Sequence, residues 1–188
     1  MTITPAAIGR IAALGLLAAL LQLTAAAQVS IFGVPLDVSP LIVASVGFLT
    51  GSVPGAMLGF CFGLFIDTAL MQTLGVTSLV LTAVGYGAGR IRELRDPAHG
   101  LAPVAVGAAA TLVSAVGVTV LQFLLGVEAP VSVEFLRQVL MTLVLNTLLA
   151  LPVYALCRRA LLPFLPDDPR RRRRRAYTTG GLSPLSRA

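Results

Sequence analysis

Long apolar runs separated by short polar breaks are the dominant pattern of this chain. A membrane-spanning helix needs about 20 consecutive apolar residues, and several of the runs reach or exceed that length. The pattern therefore predicts an all-α integral membrane protein that crosses the bilayer several times. The uncharged runs are residues 11–36, 38–66, 68–89, 97–127 and 138–157.

The composition supports the same class. The chain is 56% hydrophobic and 12% charged, with a mean hydropathy of +0.90. A soluble globular domain carries about 25% charged residues. These values exclude an ordinary soluble domain.

The arginines predict the orientation, because cytoplasmic loops of membrane proteins carry an excess of positive charge. All 14 basic residues are arginines, and only Arg137 falls outside the breaks that can lie together on the cytoplasmic side. Both ends of the chain are then cytoplasmic, which requires an even number of crossings. The other arginines are Arg10, Arg90, Arg92, Arg95, Arg158, Arg159, Arg170–Arg175 and Arg187.

Residues 38–89 must then start outside and end inside. They are too many for one helix and are broken at 51–54 and 71–75, which predicts three crossings here and six in all. The second helix is short: it rises only about 20 Å against a hydrocarbon core of about 30 Å, so one end lies below the membrane surface. Ser52 is expected to cap the third helix, with Pro54 in its first turn. The predicted membrane domain covers residues 1–165, with helices at about 7–27, 38–50, 54–70, 74–89, 101–126 and 135–159.

The first segment has an alternative interpretation. Arg10, a long apolar run and Ala25–Ala27 before Gln28 also describe a cleavable signal peptide. The run is long for the core of a signal peptide, which favours a retained helix. The topology downstream is the same in either case.

Small residues recur every four positions in the third predicted helix, at Gly55, Gly59 and Gly63, and Asp67 continues the series. Small residues at this spacing allow helix backbones to approach closely. The stripe therefore packs within the chain or receives a helix from a partner protein. If the stripe is a partner interface, the glycines contact the transmembrane helix of the partner. Asp67 then fixes the depth of that helix by hydrogen bonding.

Asp67 is the single charge between Asp37 and Arg90. A charge at membrane depth costs roughly 2.5–3.5 kcal/mol on insertion scales, so such residues usually face protein. A proton carrier, a cation ligand and a structural acceptor are all possible, and the lack of a second in-membrane carboxylate or lysine favours a structural or assembly role. Gly85 and Gly89 indicate either a frayed helix end or another close contact, and they join the candidate partner interface.

Two arginine-rich regions are candidate binding surfaces. Arg90, Arg92 and Arg95 open the largest predicted internal cytoplasmic loop, where a cytoplasmic partner can dock. Residues 166–188 have the composition of a disordered cytoplasmic tail, whose arginines Arg170, Arg171, Arg172, Arg173, Arg174 and Arg175 are each attracted to anionic lipid by about 1 kcal/mol. Nucleic-acid binding is not expected, because Tyr177 is the only aromatic residue near this block.

The sequence has no spacing typical of a metal site, a nucleotide-binding loop or a hydrolytic triad. We therefore expect no metal, no cofactor and no catalytic residue. Cys61 and Cys157 fall at different membrane depths, so a disulfide between them is not expected. Arg137 pairs either with Glu134 or with the extracytoplasmic domain of a partner.

Three segments carry a resemblance to a known family: 37–43 with Gly51 to Gly55, 59–67, and 85–90. They resemble MreD, the rod shape-determining membrane protein of bacteria. The resemblance is close over about residues 34–95, and the six-helix pattern is similar over about 7–160. The arginine tail is not part of that pattern.

The resemblance implies a non-enzymatic component of the cell-elongation machinery in the bacterial cytoplasmic membrane. It implies MreC as the partner, with RodA, a class B penicillin-binding transpeptidase and MreB nearby. The family fold is similar to the S component of energy-coupling-factor vitamin transporters, which supplies the alternative function. The short outward segments and the absence of tryptophan favour assembly over transport.

Overall fold

The computed structural model describes residues 5–28, 30–31, 34–35, 37–94, 102–126 and 133–161. Within these residues the fold consists of six helices and one antiparallel two-stranded hairpin. In the hairpin, Ser30 pairs with Pro35 and Ile31 pairs with Val34. The elements are α1 (Pro5–Gln28), β1 (Ser30–Ile31), β2 (Val34–Pro35), α2 (Ser39–Thr50), α3 (Ser52–Ala69), α4 (Val76–Leu94), α5 (Ala102–Leu124) and α6 (Val133–Leu161).

The central element is α2. It has no charged residue and no polar face, and a helix that is apolar all round is buried on every side. It contacts each of the other described helices, which surround it in the order α1, α3, α4, α5 and α6, with α6 returning to α1. Its residues Phe48, Val46 and Val43 belong to three different hydrophobic clusters of the core.

The first residues of α2 lie deep inside this ring. Asn146 of α6 donates a hydrogen bond from Nδ2 to the backbone oxygen of Asp37, with a donor–acceptor distance of 2.7 Å. Asn146 is about 20 Å along α6 from its start at Val133, at about 1.5 Å per residue. The short α2 therefore begins in the middle of the bundle, where α5 and α6 extend past it.

Two observed helix bounds differ from the predicted ones in a way that changes the environment of a candidate residue. α3 begins at Ser52 and not at residue 54, and its N-cap position is occupied by Gly51, whose φ of 114° is one that other residues rarely adopt. α4 continues to Leu94 and not only to residue 89, so Arg90 and Arg92 lie on a helix and not in a loop. The extra turn is held because Arg92 and Glu93 bond to the ends of α2 and α3.

Three of the described helices are long and apolar enough to cross a bilayer by length and composition: Ser52–Ala69, Ala102–Leu124 and Leu136–Leu161. The helix Ser39–Thr50 is apolar but shorter. α4 has charges at one end, at Arg90, Arg92 and Glu93.

Candidate functional site

α3 and α4 form a tightly packed antiparallel pair, and the predicted glycine stripe lies at their contact. A side chain at Gly59 would overlap the backbone of Leu81, and one at Gly63 would overlap the backbone of Ser78. Both glycines are buried. The lack of a Cβ is therefore what allows the two backbones to approach.

Three helices meet at the next level of the same contact. A side chain at Gly55 would overlap the backbone oxygen of Gly85, and one at Gly47 of α2 would overlap the same atom. Gly89 of α4 lies in the same way against the backbone of Ser52. Gly85 and Gly89 thus make close helix contacts within a continuous helix, and a frayed end is not observed.

Gly55, Gly59, Gly63, Gly85 and Gly89 all pack against helices of the same chain. The role of these residues in binding a partner helix stays a prediction. Packing within the chain, the alternative that the sequence left open, is what the described residues adopt. A bulky substitution at the stripe would consequently separate α3 from α4 before it affected a partner.

Asp67 is the last residue of the four-residue series, and its side chain caps the start of α4. Its side chain is fully buried, and Oδ2 accepts hydrogen bonds from the backbone amides of Gly75 at 2.8 Å and Ser78 at 3.5 Å. These amides belong to the start of α4, where helix N–H groups lack intrahelical partners and the helix dipole favours negative charge. Its second oxygen, Oδ1, has no hydrogen-bond partner among the described residues. Asp67 therefore joins the end of α3 to the start of α4.

The opposite end of the pair has the reciprocal contact. Oε1 of Glu93 accepts hydrogen bonds from the amide and the hydroxyl of Ser52, at 3.0 and 2.8 Å. These bonds hold the pKa of Glu93 below its usual value, with a smaller contribution from Arg90. Ser52 thus donates to Glu93 and is not the side-chain cap of its own helix. The sequence argument missed Glu93, because it placed this residue in a loop.

The predicted docking arginines separate into different environments. Arg92 is partly buried and donates to the backbone oxygen of Leu49 at the end of α2. Arg90 is exposed, lies 3.4 Å from Glu93, and places its guanidinium carbon 6.0 Å from the ring centroid of Tyr86. Arg95 lies outside the described residues, as do the tail arginines Arg170–Arg175. Of Arg90 and Arg92, Arg90 offers a charge at the surface.

A second polar cluster joins four elements at the start of α2. Gln22 of α1 accepts from the Val38 amide at 3.2 Å and donates to Asp37 at 3.3 Å. Asn146 of α6 donates to Thr111 of α5 at 3.1 Å as well as to the Asp37 backbone. Oδ1 of the fully buried Asn146 has no partner among the described residues. Through these bonds, Gln22 links α1 to the start of α2.

An apolar groove runs along the surface of the α3–α4 pair. It has a volume of about 750 Å³ and is lined chiefly by Ala56, Phe60 and Leu64 of α3 and by Leu79, Ala83 and Tyr86 of α4. Leu79 and Phe60 are more than half exposed, at 61% and 52%. The groove lies on the surface of the α3–α4 pair, whereas the glycines are buried at the contact between the two helices.

The described residues contain no group of three or more His, Cys, Asp and Glu side chains that could hold a metal ion. Cys61 is exposed and Cys157 is buried, and both are free thiols. Arg137 is exposed, and the side chain of Glu134 lies outside the described part of the chain.

The chain matches the family model of MreD, the rod shape-determining protein, over residues 11–160. Neither a curated protein nor a solved structure matches the chain. The family match includes all of α2 to α5 and most of α1 and α6, and so covers the glycine contact, both acidic caps and the groove. The chain therefore belongs to the MreD family of rod shape-determining membrane proteins.

Proposed function

We propose that this protein is a non-enzymatic scaffold of the bacterial cell-elongation complex, which binds MreC and helps to organise peptidoglycan synthesis. The family match over residues 11–160 is the observation that carries the proposal. Membership already implies a role in rod-shape determination. The scaffold function adds the partner and the mode of action.

The use of the polar groups supports a scaffold. Among the described residues, Asp67, Glu93 and Arg92 all bond to helix ends of the same chain. Asp67 accepts the backbone amides of Gly75 and Ser78 at the start of α4, which supports a structural role. Groups committed in this way stabilise a rigid bundle on whose surface partners can assemble.

We further propose that the chain crosses the bacterial cytoplasmic membrane six times, with both termini in the cytoplasm. The arginine distribution and the alternation of six helices support this topology. In this orientation Arg90 and Glu93 lie at the cytoplasmic end and Asp67 at the outer end. RodA, the class B transpeptidase and MreB are proposed neighbours, and anionic lipid is proposed for the arginine tail.

Purification of the tagged chain from its native membranes in mild detergent tests the scaffold function. We expect mass spectrometry to identify MreC among the proteins retained, with RodA or the transpeptidase in addition. Recovery of ATPase subunits and a coupling membrane protein, without MreC, would contradict the proposal.

The alternative function is an S component that binds a vitamin-type substrate. The specific observation that favours it is the buried polar cluster at the start of α2, with the unpartnered Oδ1 of Asn146. Under this alternative, Asp67→Asn or Asn146→Leu would change the uptake of a small solute by whole cells. Under the scaffold function, neither variant would affect uptake.

A further inference from the structure

Because α4 packs against the glycine stripe, the binding surface for a partner helix has to be sought elsewhere on the protein. We propose that the groove between α3 and α4 seats a single transmembrane helix of the partner, with small residues toward the groove and an acidic residue near Arg90. This inference rests on the proposed scaffold function. It assigns the binding surface to the outside of the helix pair.

The side chains along the groove have the spacing that helix packing requires. Leu79, Ala83, Tyr86 and Arg90 follow one another at steps of four, three and four residues along α4, which is the seam spacing of a left-handed helix pair. On α3, the positions of Ala56, Phe60 and Leu64 differ by four residues each and form one ridge. A third helix can therefore pack its own ridges between these two rows.

The dimensions of the groove also suit a helix. It extends from Gly75, directly before α4, to Tyr86. This corresponds to about 16 Å at about 1.5 Å per residue, or roughly three helical turns. Small residues such as Ala56, Gly75 and Ala83 lie along it. Helix contacts in membranes concentrate small residues because packing, and not hydrophobicity, drives association there.

Two of the hydroxyl groups that line the groove need no water. Ser78 donates its hydroxyl to the backbone oxygen of Phe60 at 3.0 Å, and Thr82 donates to that of Ser78 at 2.6 Å. Both donors are therefore satisfied inside the chain. An apolar helix can therefore cover Ser78 and Thr82 without leaving either hydroxyl proton unpaired.

Charge distinguishes one end of the groove. Arg90 lies one turn beyond Tyr86, and its side chain is 50% exposed with Glu93 at 3.4 Å. A partly exposed cation at the end of an apolar groove favours an acidic side chain on the occupant, which sets the depth of the partner helix. Arg92, on the same turn, already donates to α2 and is not available.

The first experiment places a bulky side chain in the groove and compares its effect with that of the same side chain at an exposed position of α5. The tagged full chain is expressed with MreC of the same bacterium, as wild type, as Ala83→Phe and as Ala109→Phe, in which the ring is placed on an exposed position of α5. We expect Ala83→Phe to reduce recovered MreC by about tenfold or more, since a ring in the groove prevents close packing. Ala109→Phe should recover as much MreC as the wild type, and both variants should insert and unfold like the wild type.

The outcomes separate the two proposals. If the wild type recovers no MreC, the scaffold function itself fails. If the wild type and Ala83→Phe recover MreC equally, the scaffold function stands and the partner helix does not bind in the groove. If Ala83→Phe does not fold, Leu79→Ala replaces it, and unchanged recovery of MreC with this variant overturns the groove proposal.

A photoreactive residue then identifies the occupant. Placed at Leu79 in the groove, it should form a covalent adduct with MreC on illumination in intact membranes. Placed at Leu148, an exposed position of α6, it should form none with MreC. Adducts from Leu79 exclusively with phospholipid, or with a second copy of this chain, overturn the proposal and assign the groove to that occupant.

Discussion

Glu93 and Ser52 lie 41 residues apart in the chain, yet the carboxylate of Glu93 accepts both the amide and the hydroxyl hydrogen of Ser52. Asp67 makes the opposite connection, from the end of α3 to the Gly75 amide before α4. Each helix of the antiparallel pair thus supplies an acid to the start of the other. Both acids lie where free amides and the helix dipole favour negative charge.

The first prediction concerns the pH dependence of the Glu93 contact. Because the folded-state pKa of Glu93 is lowered from 4.5, its stabilising contribution is fully present above that value and is lost as the pH falls through the folded-state pKa. Glu93→Gln removes this titration. We expect the stability of the wild type over the Gln variant to shrink as the pH is lowered from about 7 to about 3. Thermal unfolding in mild detergent measures this, and parallel curves for the two proteins would contradict it.

The second prediction uses the glycine contact. Gly59→Ala places a Cβ against the backbone of Leu81 and should cost about 1–3 kcal/mol of unfolding free energy, as overpacking does. Gly87→Ala is the matched control on α4, because a Cβ there meets nothing within 4 Å. That variant should be neutral or stabilised by up to about 1 kcal/mol.

Unfolding of purified protein by a denaturing detergent gives both values. Equal stability of the two alanine variants would mean that α3 and α4 are not in close contact. Loss of MreC from Gly59→Ala with unchanged stability would support the hypothesis of a partner helix on the stripe.

The third prediction separates the hydrogen bonds of Asp67 from its charge. Asp67→Ala removes the cap of α4 and should cost about 0.5–2 kcal/mol. Asp67→Asn keeps an acceptor oxygen for the Gly75 amide and loses the favourable charge, which should cost about 0.3–1 kcal/mol. Both are measured as shifts in thermal unfolding. If the Asn variant is as unstable as the Ala variant, the retained acceptor oxygen of Asn contributes nothing to the cap.

The fourth prediction tests the polar cluster at the start of α2. Asn146→Leu leaves the Asp37 backbone oxygen without its donor and should cost about 1–3 kcal/mol. Thr147→Val is the control, since among the described residues the hydroxyl of Thr147 bonds within its own helix, to Leu143. Its replacement should change stability by about 0.5 kcal/mol or less.

Hydrogen exchange gives a local readout for the same pair. The amides of Val38 and Ser39 should exchange faster in Asn146→Leu and at the wild-type rate in Thr147→Val. Unchanged exchange in both variants would show that α6 does not hold the start of α2.

The sequence predicted much of this fold for identifiable reasons. Six helices follow from the five uncharged runs, the breaks at 51–54 and 71–75 and the even number of crossings. The short second helix follows from the length of its run between Asp37 and Gly51. The contacts at Gly55, Gly59 and Gly63 also follow in kind, because glycine at four-residue spacing indicates a backbone in close approach. The same pattern does not say which backbone approaches, and the choice of α4 over a partner helix came only from the structure.

The sequence by itself therefore determined the membrane class, the family and the residues at which helices touch, because hydropathy, charge and small side chains are local properties. Tertiary structure decided that α2 is central, that Glu93 caps α3 and that Arg92 bonds to α2. These contacts join residues about 40 positions apart through helix ends, where backbone amides and carbonyls accept any suitable side chain that the packing brings within reach. The packing of the helices selects that side chain, so the local sequence pattern does not predict it.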